Sequence, residues 1–209
     1  MDIIKSLEWR YACKKFDANL KLDASQIGTL KKAFNLTATS FGLHPLKMII
    51  IENDELKNKL QPHAFNQQQI TTCSHLLVIC IDTKINGDTI DAHFDLEKEI
   101  RGITEESISG FRNQLKNMFA KKSDEEIEKS SIYQAYITLG NLMTVCAIEE
   151  IDACPMEGFL AHKFDEELNL SDKNLKSVLL LPVGFRAKDD FMSDMKKVRK
   201  PIANTVIEL

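Results

Sequence analysis

Apolar positions follow two different periods along this chain. After Asp23, the side chains of Ile27, Leu30 and Phe34 recur at helical spacing with Ala33 beside them, which predicts an amphipathic helix. Residues 46–52 (LKMIIIE), 75–82 (HLLVICID) and 177–183 (SVLLLPV) are instead short, nearly continuous apolar runs of the kind that make buried strands. An opening helix is predicted over 2–9, capped by Asp2, a short polar helix from Asn53, and a further helical turn or two at 66–72. Residues 88–121 are charged and helix-prone. Ser123 and Glu126 then match a capping box, predicting a helix that runs to about Glu150. From Ile137 to Ile148 that helix is apolar on almost every side, so it is predicted to be central or to lie in a subunit interface. An extended tail at 205–208 is predicted to pair at a sheet edge. Few strands among many unequal helices predict an α+β fold, since the strands do not alternate regularly with helices.

Composition narrows the function classes. With 209 residues, 44% hydrophobic and 28% charged, the chain is long enough for one domain or two small ones, and no repeat or linker divides it. A net charge of −4 without a long basic tract argues against a nucleic-acid or anionic-membrane surface. The apolar runs fall well short of the roughly 18 residues of a membrane helix, and the opening MDIIKSLEWR does not read as a signal peptide. Five cysteines (13, 73, 80, 146, 154) without a CxxC predict buried free thiols in a reducing cytoplasm. The histidines show no HExxH, so no metal site is expected.

Glycine spacing is more telling. No two of the eight glycines lie closer than eight residues, which excludes both GxGxxG and GxxxxGK[ST] phosphate loops. An anionic cofactor would have to be held by side chains. Arg10 and Lys14 lie in RYACKKFD (10–17), and KKVRKP (196–201) puts Lys197 and Arg199 on one face if extended. Arginine suits bidentate phosphate recognition and lysine adds point charge, although charge runs of this kind also belong on solvated faces. In ACPMEGFL (153–160), Glu157 and Gly158 either present backbone N–H groups to a ligand or form a plain proline turn between helices. FNQQQI (65–70) holds four consecutive carboxamides, suited to a heterocycle or polyol and equally ordinary in a loop.

Taken in order, these segments resemble the nitroreductase family of FMN-dependent NAD(P)H oxidoreductases over essentially the whole chain. The resemblance is strongest to its oxygen-insensitive nitroreductase and dihydropteridine-reductase-like branch. It is carried by MDII, RYACKKFD, TATSFGLHPLKMIII (37–51), NQQQI (66–70), SHLLVIC, GNLMTVCAIEEIDACPMEGF (140–159), VLLLPVGFR (178–186) and K-x-R-x-P (197–201). It implies a single FMN-binding domain over 1–209, with a central, mostly antiparallel sheet flanked by helices, in an intertwined homodimer. Residues 88–122 would be a variable helical lid, with Phe111 and Phe119 as lid aromatics or plain packing residues.

The resemblance also implies roles. Arg10, Lys197 and Arg199 would bind the FMN phosphate, assisted by the backbone near Tyr11 and Ala12. Lys14 would follow the ribityl chain toward the pyrimidine edge, and Asn66 would bond the ribityl or pyrimidine side. The backbone of Pro155, Met156, Glu157 and Gly158 would face flavin N5 and O4. Thr39, Ser40 and Gly42 would come from the other subunit, so the site would be shared across the homodimer. His44 would donate to the flavin edge or the substrate, or simply pack before Pro45. No protein side chain is expected to be catalytic, because flavin N5 carries the hydride. NADH or NADPH would reduce the flavin and leave before a small-molecule acceptor enters, in ping-pong order. Nitroaromatics, quinones and related heterocycles are the implied acceptors. Dihydropteridine or enone reduction, or flavin binding without turnover, are the alternatives.

The sequence departs from the branch at several of these positions. Tyr11 and Ala12 stand where the branch has His and Ser, Leu46 where it has Trp, and Phe41, Gly42 and His44 in its Ser/Asn-rich loop. Gln69 replaces a second lysine, which removes a positive charge that would favour the electron-rich flavin. Gln69→Lys is therefore expected to raise the midpoint potential of bound flavin in a redox titration, and an unchanged potential would refute the charge argument.

Overall fold

The computed structural model describes residues 2–209. Four strands form one sheet in the order β1-β2-β4-β3: β1 (Leu46–Ile51), β2 (His75–Asp82), β3 (Asp152–Ala153) and β4 (Leu175–Gly184). Every pairing is antiparallel. Leu46 lies opposite Ile81 across β1 and β2, and His75 lies opposite Val183 across β2 and β4, with a register shift between Ile79 and Cys80. The α+β expectation therefore holds, with an antiparallel sheet at its centre.

The nearly continuous apolar runs of the strands have a direct cause: both faces of the sheet are covered. Leu77, Ile79, Leu179 and Leu181 pack with α2 (Ala24–Asn35) and α7 (Asp124–Ile148). Leu76, Val78, Cys80 and Leu180 point the other way and pack with Phe16, Leu60 of α3 (Asp54–Leu60), Ile70 of α4 (Gln69–Thr72) and Phe164 of α8 (Ala161–Glu167). Two helices, α5 (Gly87–Arg101) and α6 (Glu105–Phe119), stand apart from this sandwich. They bury Ile90, Phe94, Leu115 and Phe119 in a core of their own.

Local signals set most helix ends. Asp2 accepts from the Ile4 and Lys5 amides at the start of α1 (Ile3–Trp9). Asp23 and Gln26 form a capping box, as do Ser123 and Glu126. The central position expected for α7 is found on one side only: Ala135, Leu139, Leu142 and Cys146 are buried, while Tyr133, Tyr136 and Ile137 are exposed. The tail expected to pair at a sheet edge forms no strand among the described residues. A 3-10 turn at Ile202–Asn204 precedes it, and Val206, Ile207 and Leu209 are exposed because no apolar face of this chain lies against them. The two-residue strand β3 was not expected, being too short to show a period. Among the described residues, no helix is long and apolar enough to cross a membrane.

Gly184 closes β4 against the start of β2. A Cβ there would sit 3.0 Å from the Ser74 backbone nitrogen and 3.1 Å from Phe16 Cδ1. Ser74 cannot yield freely, because its hydroxyl accepts from the Leu22 amide at 2.8 Å. Gly184→Ala is expected to destabilise the fold by about 1–3 kcal/mol, seen as a lower urea midpoint. A midpoint equal to that of the parent protein would contradict this packing.

Candidate functional site

The end of α1 is held by one arginine. Arg186, just past β4, stacks between Trp9 and Tyr11, with its guanidinium carbon 4.3 and 4.6 Å from the two ring centroids. Its Nε and backbone N–H each donate to the buried Asp152 carboxylate at 2.8 Å. Burial works against the Arg186 charge, but Asp152 more than offsets it and the guanidinium is held above its ordinary value. The chain beyond Arg10 then runs extended beside β3. Ala12 bridges Ala153 in parallel, and the Cys13 amide donates to Ala153 O at 3.2 Å.

A second carboxylate brings the late segment to the same place. Asp190 is only 2% exposed and accepts from the Tyr11 hydroxyl at 2.9 Å, the Lys14 amide at 3.0 Å and the Met192 amide at 3.2 Å. Burial alone would raise its pKa. The amides of Lys14 and Met192, with the Tyr11 hydroxyl and Cys13 thiol, outweigh burial and hold it below the usual carboxylate value.

These anchors gather the expected anion-binding residues. Arg10, Tyr11, Ala12, Lys197 and Arg199 line one cavity of about 430 Å³, with Trp9 and Met192 in its wall. The Lys197 ammonium donates to the Arg10 carbonyl. Burial, then the nearness of Arg199, lowers the Arg10 pKa. Lys197 is lowered by burial and then by Arg10 and Arg199, with Glu8 opposing. Three cations thus stand close enough to destabilise one another, an arrangement that a polyvalent anion would relieve.

From this mouth a line of contacts leads to the 155–158 turn. Lys14 Nζ is 3.6 Å from Cys154 Sγ, and Gln69 Nε2 is 4.0 Å from the same sulfur. Burial raises the Cys154 pKa, only partly countered by Lys14, so the thiol stays neutral. Gln69 Nε2 also donates to Gln67 Oε1 at 3.0 Å, and Gln67 Nε2 donates to Gly158 O at 2.8 Å. Met156 spends its N–H and carbonyl on Leu180, whereas the exposed Glu157 and Gly158 amides make no hydrogen bond among the described residues. Asn66 lies in the adjoining loop, in the left-handed conformation with φ 54°.

The remaining expected residues sit elsewhere. Ser40 donates its amide to Gln134 of α7 at 2.9 Å, and Thr39 Oγ1 accepts from the His44 amide at 3.0 Å. Gly42 lines a separate cavity of about 520 Å³ with Phe41, His93, Leu96, Ile100 and Phe111. One chain therefore does not bring Thr39, Ser40 and Gly42 to the cationic mouth. His44 Nε2 lies 3.1 Å from Phe34 O and its ring meets Phe34 edge-on, so here it packs against α2. Phe119 is buried in the α5–α6 core, while Phe111 faces the cavity.

The sequence alone gives no individual role to Asp152, Arg186 or Asp190, and reads Gln67 only as one of four carboxamides. Asp152, Arg186 and Gln67 lie inside recognised segments, but what each touches depends on chain crossings that spacing does not encode. Asp190, in the KDD of 188–190, carried no local signal.

The site thus suits an elongated ligand with an anionic tail at one end and a flat body near the free amides. The chain belongs to the nitroreductase family: residues 7–185 match that family's sequence profile. It is 33% identical to a protein of Staphylococcus haemolyticus provisionally named an NAD(P)H nitroreductase, over 99% of this chain and 96% of the relative. It is 26% identical to the oxygen-insensitive NAD(P)H nitroreductase of Salmonella typhimurium, with both chains covered in full (100% each). A provisionally named nitroreductase of Exiguobacterium sibiricum, crystallised in complex with FMN, superposes with a TM-score of 0.86 at 21% identity, covering 100% of this chain and 98% of that one.

A depressed folded-state pKa means that Asp190 stabilises the fold above the unfolded carboxyl value, near pH 4, and that this contribution fades as pH falls through the folded value. Asp190→Asn is expected to cost about 2 kcal/mol at pH 7. The gap from the parent protein should narrow below about pH 4. Urea unfolding across pH checks both, and a gap constant with pH would rule the charged anchor out.

Proposed function

We propose that this chain is an FMN-dependent NAD(P)H oxidoreductase that passes electron pairs to small-molecule acceptors such as nitroaromatics, quinones or related heterocycles. The observation that carries this reading is the group of three mutually repelling cations, Arg10, Lys197 and Arg199, in a chain of the nitroreductase family. The residues fit the cofactor. A phosphate monoester supplies the anion those cations lack, and Tyr11 and Ala12 offer backbone beside it.

The chemistry that FMN would supply when bound is two-electron hydride transfer between NAD(P)H and the acceptor. The chain's part is to bind and orient. Lys14 would supply positive charge toward the pyrimidine edge, and the free amides of Glu157 and Gly158 would offer donors toward N5 and O4. Pro155 and Met156 fix the entry to that turn through the Met156–Leu180 bridge. No side chain need act as acid or base. Donor and acceptor use the same face in turn, giving ping-pong kinetics.

A homodimer completes the site in this reading. The Thr39, Ser40 and Gly42 loop lies away from the cationic mouth in its own chain and would serve the partner's. The exposed apolar side of α7, with Tyr133, Tyr136 and Ile137, is a surface that a second copy can cover. The α5–α6 pair, within residues 88–122, would act as the lid of this single FMN-binding domain. Five buried free cysteines suit the cytoplasm.

Purified protein is expected to carry yellow FMN that bleaches anaerobically with NADH or NADPH and recovers its colour with menadione or a nitroaromatic. Arg199→Leu should weaken FMN binding by about one to two orders of magnitude, as for loss of a charge-assisted contact, while leaving riboflavin binding nearly unchanged. Protein that stays colourless with added FMN defeats the reading. Bound flavin that no dinucleotide reduces leaves a binding module without turnover.

A further inference from the structure

Gln67 satisfies its whole carboxamide within the chain. Its Nε2 donates to Ala64 O at 3.0 Å and to Gly158 O at 2.8 Å, and its Oε1 accepts from Gln69 Nε2 at 3.0 Å. Both carbonyls are pure acceptors, so the orientation of the Gln67 amide is determined, and with it that of Gln69. Gln69 is 4% exposed and its nitrogen also reaches Cys154 Sγ, which Lys14 contacts from the other side. The loop that presents Gln67 is itself strained: Phe65 and Asn66 are consecutive left-handed residues with φ 55° and 54°. A bulky residue in that region costs free energy, so the surrounding bonds must over-determine it.

We propose that Gln67 and Gln69 are positioning residues. They form a relay that locks the Glu157–Gly158 turn to the 61–69 loop and ties it, through Cys154, to Lys14. The inference rests on the flavin reading given above and adds to it how the amide donors are held. Glycine is conformationally permissive, and among the described residues the one hydrogen bond to the Gly158 carbonyl comes from the Gln67 amide. The Phe159 amide turns back to Glu157 O at 2.9 Å, so the peptide that Gln67 grips lies inside a tight turn. Fixing this peptide before the cofactor arrives removes an ordering cost from binding.

The test uses the full chain with Gln67→Met, which keeps length and loses every polar contact, and Gln67→Glu, which keeps shape and loses the donors. Both are expected to weaken FMN binding about tenfold by fluorescence titration, the size of one to two hydrogen bonds. Both should shift the visible absorption band of bound FMN. In protein stripped of FMN, both should speed hydrogen exchange of the Phe159 amide, the N–H of the gripped peptide that bonds to Glu157 O, by about tenfold, while exchange in β2 stays unchanged. Gln69→Leu should move both readouts in the same direction, a few-fold. Gln69→Lys retains a donor to Gln67 and should leave exchange of the Phe159 amide as in the parent, which separates charge from the relay. Unchanged exchange of the Phe159 amide in both Gln67 variants overturns the relay, and so does unchanged FMN affinity with faster exchange. Failure of the parent chain to bind FMN is a failure of the flavin reading, and the exchange experiment on stripped protein still decides whether the relay holds the turn.

Discussion

The grip on Arg186 is what the site depends on. One guanidinium is stacked by Trp9 and Tyr11 and bonded by Asp152, so it joins the end of α1, the extended 11–16 segment, β3 and the segment just after β4. Removing a partner from such a half-buried pair leaves a charge with neither water nor counter-ion, which commonly costs more than the intact pair contributes. The pair's worth lies less in net stability than in specifying one arrangement. Asp190 repeats the device a few residues on, using amides and a hydroxyl in place of a guanidinium.

Both anchors act before any ligand is present, and both serve the same end. They hold Arg10 and the 197–199 segment together although the cations repel one another. The fold thus spends part of its stability to keep a site ready for negative charge, and binding would return it. That trade is the usual signature of a functional site, and here it keeps repelling cations in a corner tied down by two buried carboxylates.

Much of the fold was legible because its signals are local. Asp2, Asp23, Asn53 and Ser123 each cap the helix expected of them, and the three long strands are the three apolar runs. What could not be read depends on long-range geometry. The two residues of β3 are too few to show a period, and the 205–208 tail has β-branched residues but no edge within its own chain to pair with. At the site, motif order alone put Arg10, Lys197 and Arg199 in one group, despite nearly two hundred residues of separation. The residues that hold them there, Asp152, Arg186 and Asp190, have ordinary neighbours in sequence and special ones only in space.

The α5–α6 pair has a consequence for the energetics of the whole molecule. Its core of Ile90, Phe94, Leu115 and Phe119 is separate from the two layers packed on the sheet. Its link to the rest is narrow, through Leu43 and Ile127 of α7 at its edge, so most substitutions inside this pair are expected to act nearly independently of the sheet. This smaller core carries the aromatic wall formed by Phe111 next to Phe41. Selection can reshape that wall one substitution at a time while the cationic corner stays fixed.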